Sequence, residues 1–187
     1  IPPRTLALGL YGLFGYHFLL FIALRVAPPV EANLVNYLWP LLIVVLAPVL
    51  LPGMRLKPLH LLAALAGFAG AGIAILGGGG ATGAWSWGYL PALASAVIWA
   101  TYSLWTRRVP AFPTAAIGLF GLASGLLSLV CHALLEPAAA LTGTDWVLIA
   151  VMGLGPLGAA FFLWDKALKT GDARHIGILS YLTPLAS

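Results

Sequence analysis

The sequence predicts an all-α polytopic membrane protein built as an inverted-topology repeat, and three observations carry that expectation. The first is composition: 61% of the 187 residues are hydrophobic and 7% are charged, with a mean hydropathy of +1.02, whereas soluble domains carry about 25% charged residues. The second is length. Crossing a hydrocarbon core takes about 20 apolar residues of helix, and six segments of roughly that size follow one another, at 6–25, 32–51, 59–76, 89–106, 115–135 and 146–168. The third is internal repetition. Asn33-Leu-Val-Asn-Tyr-Leu-Trp-Pro40 returns 144 residues later as Gly177-Ile-Leu-Ser-Tyr-Leu-Thr-Pro184, and the same offset pairs Gly9 with Gly153, Phe18 with Phe162, Leu19 with Leu163 and Ala23 with Ala167.

The formal charge of +4 and pI near 9.5 do not point to nucleic acid. Nine basic residues scattered at helix ends lack the clustered stripe that phosphate binding needs, so no nucleic-acid partner is expected and the basic residues read as topology signals. Cys131 stands alone inside an apolar run and offers no disulfide within these residues. Neither HExxH, paired cysteines nor a Ser/His/Asp set is present, so neither a metal, a cofactor nor a catalytic centre is expected. Gly77 to Gly80 lacks the Lys-Ser/Thr of a phosphate loop and reads as a flexible turn. Ile1-Pro-Pro-Arg4 leads directly into an apolar segment without the form of a cleavable signal.

Each segment has its own logic. The first carries Tyr16 and His17 halfway along, a depth at which polar groups face a bundle interior or a water-filled cavity. In the second, Asn33, Asn36, Tyr37 and Pro40 fall at i, i+3, i+4 and i+7, one face of a helix, and Gly177, Ser180, Tyr181 and Pro184 repeat that spacing in the seventh. A mid-span proline removes one backbone hydrogen bond, which leaves the carbonyls of Asn36 and Ser180 to be satisfied by protein, water or ligand. Glycines at 67, 70 and 72 of the third segment, and at 118, 121 and 125 of the fifth, predict close helix packing. The fourth puts Ser95, Trp99, Tyr102 and Thr106 on one face with Ser103 beside it, the mix of aromatic area and hydroxyls that lines ligand sites; a lipid-facing Trp99 is the competing view.

The sixth segment contains Pro156 and ends in Asp165 and Lys166, which read as a solvated helix end, with a gate or coupling role as the alternative. Trp85, Trp87, Tyr89 and Trp146 lie at span ends as interfacial anchors. The seventh segment opens near Ile176 and has twelve residues to Ser187, about 18 Å of helix and too short to cross, so further helix is expected beyond it.

Alternating the connections puts Arg4, Arg55, Lys57, Arg107, Arg108, Lys166, Lys169 and Arg174 on one side and Arg25 on the other. Eight against one is a strong positive-inside signal. It predicts a multi-pass protein of a bacterial-type inner membrane, with the Arg55, Arg107 and Lys169 loops cytoplasmic and the 77–85 and 136–145 loops external. The first span and its copy, the sixth, are then an odd number of spans apart and run in opposite directions. Inverted repeats of this kind build secondary transporters, whose site lies near the midplane beside discontinuous helices.

The candidate substrate-binding residues are therefore Tyr16, His17, Asn33, Asn36, Tyr37, Trp39, Trp99, Tyr102, Ser103, Ser180 and Tyr181, with Pro40, Pro156 and Pro184 as candidate hinges. Amides at 33 and 36 both donate and accept, which suits a zwitterion. Their competing role is an interhelical hydrogen bond, that of His17 a satisfied core residue, and that of each proline an ordinary kink.

Val35-Asn-Tyr-Leu-Trp-Pro-Leu41, the Arg55 to Pro58 turn, and Trp164-Asp-Lys-Ala-Leu-Lys-Thr-Gly-Asp-Ala173 ahead of Ser180-Tyr-Leu-Thr-Pro-Leu185 resemble the drug/metabolite transporter superfamily, EamA type, and within it most closely the YddG group of aromatic amino-acid exporters. The resemblance covers nearly the whole chain. It implies two five-helix halves, of which this sequence holds the third through eighth helices and part of the ninth: residues 1–84 would close the first repeat and 85–187 would open the second. It implies a small-molecule partner, an amino acid, carried through a central cavity. The expectation is a secondary transporter, not an enzyme, exporting neutral or zwitterionic metabolites by alternating access, with membrane lipid around it. Few carboxylates at mid-depth favour facilitated diffusion over tight proton coupling. Export of other metabolites or drugs, and an intramembrane enzyme working through His17 or Asp165, are the alternatives. Nothing in the residues sets an oligomeric state.

Overall fold

Five helices in the computed structural model are long and apolar enough to cross a membrane: Pro3–Val26, Pro29–Leu50, Pro58–Gly77, Ala116–Leu135 and Gly143–Thr170. The structure describes residues 1–77, 79–138 and 140–186, and among them there is no strand. Between the third and fourth of these, Tyr89–Trp105 is a further helix of 17 residues, about 26 Å long at 1.5 Å per residue and close to the hydrocarbon thickness. A seventh helical stretch covers 173–186. These are the first to seventh helices of the chain in order.

Caps move several ends away from the sequence expectation. The sixth helix starts at Gly143, three residues before the predicted 146, because Thr142 and Asp145 form a reciprocal capping box. The seventh starts at Ala173, ahead of the predicted Ile176, because the Asp172 carboxylate accepts from the Arg174 amide. The second starts at Pro29, where a proline in the first turn forfeits no hydrogen bond.

The repeat is visible in these boundaries. The first helix ends at Val26 and the sixth at Thr170; the second begins at Pro29 and the seventh at Ala173, each 144 residues apart. A widened π turn interrupts the first helix at Tyr11–Gly15 and the sixth at Gly155–Ala159, again at that offset. Pro156 explains the second: its ring opposes the preceding turn and it has no N–H to give, so the turn opens around it. The second helix breaks after Asn36 and resumes at Trp39, and the seventh passes through a 3-10 turn, Ser180–Leu182, before resuming at Thr183. Pro40 and Pro184 each sit second in the resumed helix.

The fourth helix is the centre of the bundle. Ala92, Ala96 and Ala100 recur every four residues and are fully buried, which brings neighbouring backbones close, while Ser95, Trp99, Tyr102, Ser103 and Leu104 are buried among them. Of the glycines expected at tight crossings, Gly67 meets the expectation: a Cβ there would lie 2.5 Å from the Tyr181 ring. Gly70, Gly121 and Gly125 do not, since no described atom lies within 4 Å of such a Cβ. Trp85, Trp87 and Trp146 are exposed at helix ends, as interfacial anchors are.

Candidate functional site

Trp99 is the hub of the interior. Its ring centroid lies 5.1 Å from Tyr16, 6.4 Å from Trp39, 5.3 Å from Tyr102, 5.6 Å from Phe161 and 5.8 Å from Trp164. Those rings come from the first, second, fourth and sixth helices, so one side chain ties four helices together. Tilted and edge contacts of this kind add about 0.5–1.5 kcal/mol each beyond area burial. Trp99 is 6% exposed and does not face lipid. Gly12, inside the first π turn, makes room: a Cβ there would stand 2.2 Å from the Tyr102 ring.

A polar triad crosses three helices beside this cluster. The Asn36 amide nitrogen donates to the Tyr16 hydroxyl at 3.0 Å, and the Ser95 hydroxyl donates to the Asn36 carbonyl oxygen at 3.0 Å. Ser95 shares its single proton with the Ala92 carbonyl at 2.7 Å. Asn36 and Ser95 are both buried, which makes the triad costly to disturb, because a lost partner leaves a dry polar group behind. A second polar link joins the rings themselves: the Trp164 indole N–H donates to the Ser103 hydroxyl at 3.1 Å.

Tyr181 enters from the seventh helix. Its ring lies against Gly67 and edge-on to Phe68, and its hydroxyl donates to the Tyr37 carbonyl at 3.2 Å while accepting from the Leu41 amide at 3.1 Å. Tyr37 itself is half-buried. Other candidate residues stay local. The Ser180 hydroxyl returns to the Ile176 carbonyl of its own helix at 2.7 Å, and Asn33 makes no side-chain hydrogen bond among the described residues. His17 Nδ1 sits 2.6 Å from the Leu13 carbonyl, and its ring meets Tyr16 and Phe161 edge-on.

A cavity of about 640 Å³ lies between the first and fifth helices, toward the end that carries Arg25 and Glu136. Of the candidate residues only His17 lines it; Phe14, Phe18, Phe21 and Leu129 supply apolar walls. At its mouth Arg25 pairs with Glu136 at 2.8 Å and His132 with the other carboxylate oxygen at 2.6 Å. The His132 hydrogen bond, and then Arg25, hold the Glu136 carboxyl below the ordinary carboxylate range. The aromatic hub and the cavity are thus neighbours joined through His17.

The opposite end holds a buried ion pair. Asp165 is 2% exposed, so it is not a solvated helix end, and its partner is Lys169 at 2.5 Å, one turn on, while Lys166 points outward. Lys169 also donates to the Phe112 carbonyl at 2.9 Å and lies over the Phe112 ring. Sequence reasoning missed this pair and the rings of Phe161 and Trp164. The signal was there: Phe161, Trp164, Asp165 and Leu168 fall at i, i+3, i+4 and i+7. The Arg25–Glu136 pair, 111 residues apart in sequence, left no such trace.

Residues 86–187 match the EamA-like transporter family. The chain is 47% identical over 182 residues to a protein described as aromatic amino acid exporter YddG from Ancylobacter novellus, covering 96% of this chain and 63% of that protein. It superposes on a solved crystal structure with a TM-score of 0.91 at 45% identity, over 99% of this chain and 66% of the other. The chain therefore spans about two thirds of the length of these relatives.

Proposed function

This chain belongs to the EamA-like transporter family, and from that premise we propose that it forms the central part of an exporter of aromatic amino acids working by alternating access. The observation that carries the reading is the Trp99 hub, where rings from four helices adjoin a buried amide–hydroxyl triad and, through His17, an open cavity. Flat apolar faces suit an aromatic side chain, and an ammonium gains further over indole faces. Asn36, Ser95 and Tyr16 supply dipoles of both senses without a net charge, which suits a zwitterion.

Sidedness follows from the charges. With the Arg55, Arg107 and Lys169 loops cytoplasmic, the Arg25–Glu136 end is external, the cavity opens outward, and the Asp165–Lys169 seal closes the inner end. This conformation is then outward-open. The matched helix boundaries at 144 residues support two halves of opposite direction, whose nearly equal energies in exchanged conformations allow the cycle. The enzyme alternative finds no acid–base pair: His17 is held by its own helix and Asp165 by Lys169.

Reconstituting the full-length protein in proteoliposomes tests this. Trp99→Ala, Trp39→Ala and Tyr37→Ala are expected to cut aromatic amino-acid flux tenfold or more; intact flux in all three overturns the assignment of the Trp99 cluster as the substrate site. The same assay across the twenty amino acids and a set of amphipathic drugs separates amino-acid export from the broader export that the apolar walls would also serve.

A further inference from the structure

We propose that the Tyr181 hydroxyl is a wedge that holds the second helix bent at Tyr37, and that this helix straightens when the wedge withdraws during transport. The proposal rests on the transporter reading for its role and on geometry for its existence. In an unbroken α-helix the Leu41 amide would donate to the Tyr37 carbonyl. Here the Tyr181 hydroxyl stands between them, taking the amide at 3.1 Å and giving its proton to the carbonyl at 3.2 Å. A side chain inserted into the ladder is one of the few causes of a sharp helix kink.

Pro40 does not account for it. A proline at 40 deletes the bond to the Asn36 carbonyl, one residue earlier, and leaves the Tyr37–Leu41 bond free to form. Two successive rungs are therefore absent for two different reasons, one covalent and permanent, the other a hydroxyl that can leave. The surroundings are shaped for the insertion: Gly67 leaves the space the Tyr181 ring fills, and Gly177 lets the seventh helix approach the Pro40 carbonyl, which a Cβ there would meet at 3.0 Å. Tyr181 is 3% exposed, so its hydroxyl is dry and depends on this pair of partners.

The consequence reaches the candidate site through Asn36, the last residue before the break. The bend sets the direction of the amide that joins Tyr16 to Ser95, which makes Tyr181 a positioning residue rather than a substrate contact.

The experiment uses the full-length protein with Tyr181→Phe, which keeps the ring on Gly67 and removes only the hydroxyl. Amide hydrogen exchange at Leu41 is expected to slow about tenfold as the rung to Tyr37 closes, and aromatic amino-acid flux to fall at least fivefold. Exchange at Leu41 that rises or stays as in the parent overturns the wedge, because the hydroxyl would then merely cap groups that remain apart without it. In a Pro40→Ala background the effect of Tyr181→Phe on Leu41 is expected to persist, because the hydroxyl and not the proline holds the Tyr37–Leu41 rung open; loss of the effect in that background would assign the open rung to Pro40 and also overturn the proposal. A parent that carries no aromatic amino acid would overturn the proposed function, while the exchange result would still decide the wedge.

Discussion

Gly9 and Gly153 occupy the same place in the two copies of the repeat, each just before a π turn, yet their surroundings among the described residues differ. A Cβ at Gly9 would lie 2.3 Å from the Phe120 ring; at Gly153 no described atom lies within 4 Å. The contrast extends along both helices. The first π turn buries Gly12 and Leu13 under Tyr102 and its neighbours, whereas the sixth helix buries no residue between Gly143 and Ala159. In the breaks that follow, Asn36 links two other helices while its counterpart Ser180 bonds back to its own. Local sequence decides where each copy bends, and the neighbours decide what the bend holds.

The sharpest way to break that comparison is to add the same methyl to both copies. Gly9→Ala is expected to cost about 1–3 kcal/mol through overpacking on Phe120, whereas Gly153→Ala is expected to be neutral or to gain about 0.5–1 kcal/mol from reduced backbone entropy. Thermal unfolding of variants of the 1–187 chain in detergent checks this, and equal shifts would mean that the copies are packed alike within it. Next come the break residues. Asn36→Ala strands the Tyr16 hydroxyl and takes one of the two acceptors of Ser95, and is expected to cost about 1–3 kcal/mol; Ser180→Ala, losing only a back-bond, should stay within about 0.5 kcal/mol. Similar unfolding midpoints for the two would remove the asymmetry between the breaks.

The smallest effect distinguishes the turns that introduce the two broken helices. The first uses Pro28 and Pro29; the second uses Asp172, whose carboxylate is gripped by Arg174 at 2.5 and 3.0 Å. That hydrogen bonding pulls the Asp172 carboxyl down to about 2. A depressed folded value means that the contribution is fully present above the ordinary carboxylate range, about 3.9, and is lost as pH falls through about 2. The pair is partly exposed at a loop, where solvent screens it, so the contribution should be under about 1 kcal/mol. The midpoint difference between the parent and Asp172→Asn is therefore expected to shrink as pH is lowered from 5 toward 2; a difference that ignores pH would show that the grip on Arg174 adds nothing.

Much of the site could be read in advance because period and proline are local signals. Helical spacing picks out Asn36, Trp99, Tyr102, Ser103 and Tyr181, and all five are buried. What spacing could not supply was which partner each takes. Asn33 and Asn36 share a helical face, but only Asn36 reaches Tyr16 and Ser95; Asp165 reads in sequence as part of a solvated helix end with Lys166, but it is buried, and a helix puts residue i+4, Lys169, on its own face.

The sequence by itself determined the membrane solvent, the helix count, the 144-residue repeat and the proline positions near which the second, sixth and seventh helices break or widen, because apolar length and proline act within a few residues of themselves. Tertiary structure decided the rest. The Trp99 hub, the cavity beside His17 and the hydroxyl of Tyr181 lodged in the rung between Tyr37 and Leu41 each join residues from helices far apart in the chain. Such joins depend on the distances and angles between packed helices, which no local pattern encodes.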